Sequence, residues 1–164
     1  FGTSLCYPTS TMGAHVSACR RTGYETKMNV ALWGSFGYEL DPDKLSQEEK
    51  AEITNQIALY HQYYDVIHYG DLYRLITPFE NEFRVAWEHV SEDKNEVLAT
   101  VVQIKSSYDP FFMLKLKGLD PEKIYVNQET DEEYSGAYLM NAGLNLTHIS
   151  NKDGSSYRYY FKAK

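Results

Sequence analysis

The sequence predicts an α+β chain, helical over residues 1–66 and built of antiparallel strands over residues 67–164. Three observations carry this reading. Ser46-Gln47-Glu48-Glu49 is a capping box that opens a stretch of helical periodicity. From Asp71 onward the apolar segments are short, alternating and divided by turn signals. The composition is globular, with 164 residues of which 43% are hydrophobic and 24% charged. That length suits one domain with a real core, or a small domain plus a piece of another. It excludes a complete eight-stranded α/β barrel, which takes roughly 250 residues.

The stretch before Pro8 is ambiguous. Thr11 to Ser17 is a run of small and apolar residues, readable as a buried strand with both faces covered. Thr26 to Phe36 reads as a helix with Met28, Leu32 and Phe36 on one face, ending at Gly37. Asp41-Pro42-Asp43 is a turn. The capping box then starts a helix from Ser46 to Tyr64. Ile53, Ile57, Tyr60 and Tyr64 form its apolar face, and Glu48, Glu49, Glu52, Gln56 and Gln62 its wet side.

The change to strands is expected near Ile67. Leu72 to Ile76 stops at Thr77-Pro78, and Arg84 to Val90 alternates. Glu96 to Ile104 follows the polar turn Ser91–Asn95. Phe112 to Lys117 and Lys123 to Asn127 flank Gly118–Pro121. The last strand alternates Tyr157, Tyr159 and Phe161 with Arg158, Tyr160 and Lys162. Strands at this spacing predict an antiparallel sandwich.

Sixteen basic against 23 acidic residues give a net charge of -7, which argues against nucleic acid or an anionic membrane as the main partner. No apolar run approaches the ~20 residues that span a bilayer. The chain opens at Phe1 without a leader pattern, so an excised or incomplete chain is expected. Cys6 and Cys19 are the only cysteines, and two reduced thiols in a cytoplasmic protein are expected. Neither has zinc spacing, and the five histidines make no H-x-H or H-E-x-x-H pair. No metal and no cofactor are expected.

Each chemical motif has a plainer alternative. The 15 tyrosines suit half-buried strands and interfaces, or a stacking platform for sugars. Gly34-Ser35-Phe36-Gly37 lacks the first glycine of a nucleophile elbow and reads better as a helix end. Cys19 beside Arg20 and Arg21 would at most have a lowered pKa. A retaining glycosidase needs two carboxylates ~5–5.5 Å apart, and no pair stands out. Glu129 to Glu133 reads as a solvated loop, and Asp71, Glu80 and Glu82 as surface charges at strand ends. His15 reads as a core histidine, and Asn145-Leu146-Thr147 as a chance sequon.

Several strings in order go beyond generic pattern. They include Ser10-Thr11-Met12-Gly13-Ala14-His15-Val16-Ser17, Phe36-Gly37-Tyr38-Glu39-Leu40-Asp41 and Tyr69-Gly70-Asp71-Leu72-Tyr73-Arg74-Leu75. Pro78-Phe79-Glu80, Leu116-Lys117-Gly118-Leu119-Asp120-Pro121 and Leu139-Met140-Asn141-Ala142-Gly143-Leu144 continue the series. In this order, over nearly the whole chain, the sequence resembles the C-terminal part of bacterial α-galactosidases of glycoside hydrolase family thirty-six.

The resemblance implies that residues 1–66 are the end of a catalytic (β/α)8 barrel and residues 67–164 a C-terminal antiparallel β-sandwich. Met12 to Ser17 would be the eighth barrel strand and Thr26 to Gly37 the eighth helix. Apolar exposure is expected on that helix, where the rest of the barrel would lie. The family's nucleophilic and acid/base aspartates have no counterpart here, so no catalytic residue is carried over and the segment alone should be inactive. Family members usually carry a Pro-Asn-His-Gln loop after the equivalent of Val16–Cys19, whereas Cys19 here runs at once into Arg20-Arg21-Thr22-Gly23. Ser17, Ala18, Cys19, Arg20 and Arg21 are the residues expected nearest the active site. The implied partners are an α-galactoside substrate for the parent enzyme, the missing barrel, and a second copy in a homo-oligomer. The competing reading is a non-catalytic carbohydrate-binding module.

Overall fold

The computed structural model spans residues 1–164 and describes residues 1–18, 22–107 and 111–164. Its elements run β1 (Gly13–Ser17), α1 (Tyr24–Ala31), β2 (Ser35–Glu39), α2 (Gln47–Tyr69), β3 (Asp71–Ile76), β4 (Arg84–Val90) and β5 (Glu96–Gln103). Then come β6 (Met113–Leu114), β7 (Ile124–Asn127), β8 (Glu133–Ser135), α3 (Gly136–Asn141), β9 (Leu144–Asn145) and β10 (Ser156–Ala163). The class is α+β, with few helices and a dominant antiparallel sheet.

β1 and β2 pair in parallel, with Gly13 beside Ser35 and Ser17 beside Glu39. A parallel pair needs a crossover, and α1 supplies it. This corrects the sequence reading of Thr26 to Gly37 as one helix. The helix stops at Ala31, and Ser35 opens a strand whose amide donates to the Met12 carbonyl at 2.7 Å. Met12 to Ser17 is therefore not the last parallel strand of the chain. Nor is α1 broadly exposed on its apolar side. Met28, Ala31, Leu32 and Trp33 are buried, and Val30 is the exposed apolar residue.

α2 begins as expected. The Ser46 hydroxyl accepts from the Glu49 amide at 3.2 Å, and the Glu49 carboxylate accepts from the Ser46 amide at 2.8 Å. The helix runs five residues beyond Tyr64 to Tyr69, through Ile67, and strands begin at Asp71. Its buried residues are Gln56, Tyr63, Val66 and Ile67, while Ile57 and Tyr64 are each 40% exposed. The packed stripe is thus displaced around the helix from the expected one. Gln56 lies inside because its amide oxygen accepts from the Tyr38 hydroxyl at 2.7 Å, which satisfies both polar groups.

β3-β4-β5-β10-β7-β8 form one six-stranded antiparallel sheet, and β6 with β9 a two-stranded ribbon. Both faces of the large sheet are covered, so β4 and β5 bury residues on both sides. On one face Ala86, Val90, Val97, Ala99, Val101 and Phe161 meet Phe112, Leu114, Leu116, Leu119, Leu139, Leu144 and Leu146. The second layer of the C-terminal half is therefore this ribbon and the chain around it. On the other face Leu98 and Tyr160 pack against Met28, Leu32, Tyr63, Val66 and Ile67. Trp87 packs against Trp33 with ring centroids 4.1 Å apart and the rings tilted by 32°.

Candidate functional site

The expected active-site neighbourhood begins where β1 ends. Ser17 and Ala18 are exposed, and the Ser17 carbonyl accepts from the Lys27 ammonium at 3.0 Å. Cys19, Arg20 and Arg21 lie outside the described residues. The parallel register sets Ser17 beside Glu39 at the carboxyl ends of both strands, the edge where α/β layers gather ligand groups. His15 Nδ1 stands 3.9 Å from Glu39 Oε2, with side chains 58% and 79% exposed. At that exposure the pair adds little stability. A groove of about 330 Å3 adjoins it, lined by His15, Ser17, Thr22, Thr26, Lys27 and Val30 among others.

Two expectations change here, and one residue is added. His15 is exposed, because Val16 takes the buried position of β1. Ser35 starts a strand instead of ending a helix. Glu39, which the sequence did not single out, joins Ser17, and only the pairing of β1 with β2 brings the two together. This edge offers a carboxylate, an imidazole, an ammonium and hydroxyls, a set suited to hydrogen-bonding a polyol.

The other carboxylates are mostly as expected. Glu129 to Glu133 form an exposed turn with Asp131 at φ 59°, and Asp71, Glu80 and Glu82 are exposed. Glu82 pairs with Lys105 at 2.9 Å. Glu88 differs. It is 0% exposed, its Oε1 accepts from the Lys117 amide at 2.6 Å, and its Oε2 has no partner among the described residues. Burial pushes its pKa up to about 8, against the opposing pull of the Lys117 amide and ammonium. Nothing in the strand's pattern distinguished it from an ordinary outward residue.

Among the described residues no three His, Cys, Asp or Glu side chains cluster as a metal site. Cys6 is free and exposed. No helix of the described residues is long and apolar enough to cross a membrane. Tyrosines serve packing in several places: Tyr63, Tyr125 and Tyr160 are buried. Tyr7, Tyr64, Tyr69 and Tyr138 are the exposed ones among those described.

A parallel β-α-β piece leading through a long helix into an antiparallel sheet is also found in solved glycosyl hydrolases, to which this chain is similar. Residues 1–70 match the family described as Melibiase, and residues 84–161 match the glycosyl hydrolase family 36 C-terminal domain. The chain matches the C-terminal region of the bacterial family 36 α-galactosidases.

Alpha-galactosidase Mel36A of Lactobacillus acidophilus is 41% identical over 99% of this chain and 23% of its own length. The bifunctional alpha-galactosidase/sucrose kinase AgaSK of Mediterraneibacter gnavus is 39% identical over 98% of this chain and 18% of its own. The crystal structure of α-galactosidase AgaA of Geobacillus stearothermophilus in complex with raffinose superposes with a TM-score of 0.93 at 39% identity. It covers 99% of this chain and 23% of that one. The α-galactosidase of Lactobacillus brevis superposes with a TM-score of 0.93 at 32% identity, covering 99% of this chain and 24% of that one. The chain spans about a fifth to a quarter of the length of these relatives.

Proposed function

We propose that this chain is the C-terminal region of a retaining α-galactosidase that releases terminal α-galactosyl residues from galactosides such as melibiose or raffinose. Within that enzyme its role is structural. Hydrolysis with retention takes two carboxylates ~5–5.5 Å apart, one forming a covalent glycosyl intermediate and the other acting as acid and then base. The two carboxylates this fold sets apart, Glu39 and Glu88, belong to different sheets, and Glu88 is enclosed. The reacting pair therefore belongs to other parts of the polypeptide. The β1–β2 piece is the end of the barrel, and the six-stranded sheet braces it through α1 and α2. The enzyme works in the cytoplasm as a homo-oligomer.

One observation carries the reading: both halves superpose together on a raffinose-bound α-galactosidase over 99% of the chain. The test is to assay the full-length polypeptide carrying this chain on melibiose and raffinose. Galactose should be released with its anomeric configuration retained, read by proton NMR in the first minutes. Absence of galactose release overturns the proposal. Raffinose titrated into the chain by itself should give no heat, whereas a binding isotherm would favour the carbohydrate-binding module.

A further inference from the structure

Glu88 and His89 are neighbours on β4, and they point to opposite faces of the sheet. Both are enclosed, at 0% and 1% exposed. Each has one orphan atom among the described residues, Glu88 Oε2 and His89 Nε2. Buried polar groups without partners are uncommon, and a charge on either would be far costlier than the neutral form. We propose that β4 is a two-sided proton switch, in which Glu88 controls the opening of segment 112–119 and His89 controls the opening of helix α2, with opposite responses to pH.

The surroundings of each group fix the sign. Glu88 faces segment 112–119, whose Lys117 amide is its partner. The Lys117 ammonium lies 3.2 Å from the Arg74 carbonyl. Directly across the sheet are Tyr73 on β3 and Ala99 on β5. Segment 112–119 covers one core with Phe112, Leu114, Leu116 and Leu119. When it lifts, water reaches the carboxyl. Burial raises the Glu88 pKa from its ordinary 4.5 to about 8. The closed state therefore keeps a proton that the open state sheds between those values. Closure is firmest below pH 4.5 and weakens as pH rises to 8, by up to about tenfold in the opening constant per pH unit.

His89 faces α2, where His68 is its titratable neighbour. The His68 Nε2 lies 2.7 Å from the Tyr60 hydroxyl, and Leu72 on β3 and Leu98 on β5 stand across from His89. Burial, with the nearby His68, lowers the His89 pKa from 6.5 to about 4. Here the open state takes up a proton that the closed state refuses. Closure of α2 is firmest above pH 6.5 and weakens as pH falls towards 4.

The experiment is peptide-resolved hydrogen–deuterium exchange on the full-length protein from pH 5 to 8, with rates normalised to intrinsic exchange. Protection of peptides across 112–119 should fall up to about tenfold per pH unit as pH rises. Protection of the C-terminal half of α2 should rise over the same units below pH 6.5. E88Q should flatten the first slope and leave the second; H89Q should do the reverse. E88M and H89N repeat each arm without the introduced long amide, and retained near-UV circular dichroism shows that a variant is folded. Slopes of the same sign in both segments overturn the switch. So does a slope across 112–119 that persists in folded E88Q or E88M.

Discussion

Asn29 on α1 donates from Nδ2 to the Ser156 hydroxyl on β10 at 2.8 Å, joining two residues 127 positions apart. Its Oδ1 accepts from Arg158 at 2.7 Å, and the Ser156 hydroxyl donates to Thr26 Oγ1 at 3.1 Å. A fully buried amide with both ends matched is satisfied only when the β-α-β piece sits in one register over the large sheet. Polar seams of this kind select a geometry more than they add stability.

Asn29→Ala should destabilise the protein by about 1–3 kcal/mol, because it removes the partner of the Arg158 Nη1 and one of the two hydrogen bonds of the buried Ser156 hydroxyl. Urea unfolding followed by tryptophan fluorescence measures it. Trp33 and Trp87 report at this junction, since their rings are in contact. An unchanged midpoint would mean that the seam contributes nothing.

Gly136→Ala should be among the most disruptive single changes. A Cβ there would lie 1.9 Å from the Asp120 carbonyl oxygen, a backbone atom that cannot step aside alone. Gly136 donates to the Lys123 carbonyl at 2.9 Å as α3 begins, so the clash falls where α3 docks on the 120–123 turn. Overpacking of this kind costs about 1–3 kcal/mol or more. A thermal midpoint within a degree of the parent's would refute it.

Ser46→Ala removes the hydroxyl that caps α2 and should cost about 1 kcal/mol. Ser46→Asp should keep most of it, since a carboxylate accepts from the same amide and favours the helix N-terminus. The pair of variants, compared by thermal melting, separates the cap from any general effect at that position.

Global stability should decline between pH 6.5 and 8. Glu88 contributes stability that is complete below its unfolded 4.5 and lost as pH rises to about 8. His89 contributes stability that is complete above 6.5 and lost as pH falls to about 4. Between 4.5 and 6.5 these two slopes oppose and nearly cancel, and above 6.5 the Glu88 slope is the one of the two that remains. Chemical denaturation at pH 6.5 and pH 8 should show the loss in the parent and not in Glu88→Gln.

What could be read directly was local. The Ser46–Glu49 box needs only four consecutive residues, and the structure reproduces both of its hydrogen bonds. Arg84 to Val90 carries its strand signal in its own alternation and has the bounds that pattern gives. The same locality explains the misreadings. Phe36 sits at helical spacing from Met28 and Leu32, but Ser35–Glu39 is a strand because β1 offers it a parallel partner 22 residues earlier. Helical spacing puts Ile53, Ile57, Tyr60 and Tyr64 on the packed side of α2. The actual side includes Gln56, whose inward position depends on the Tyr38 hydroxyl.

For the site, Ser17 could be placed at a strand end from sequence, whereas Glu39 and Glu88 could not be singled out. A carboxylate in an alternating strand reads as solvent-facing, and only segment 112–119 folding over β4 encloses Glu88. Caps, turns, strand alternation and, through ordered strings, the family the chain resembles are legible in the sequence, because these depend on neighbouring residues. Tertiary structure alone decided which strands pair, which face of α2 is dry and which carboxyl is held neutral. Each of those depends on long-range contacts that remove a group from water, and burial is a property of the assembled fold.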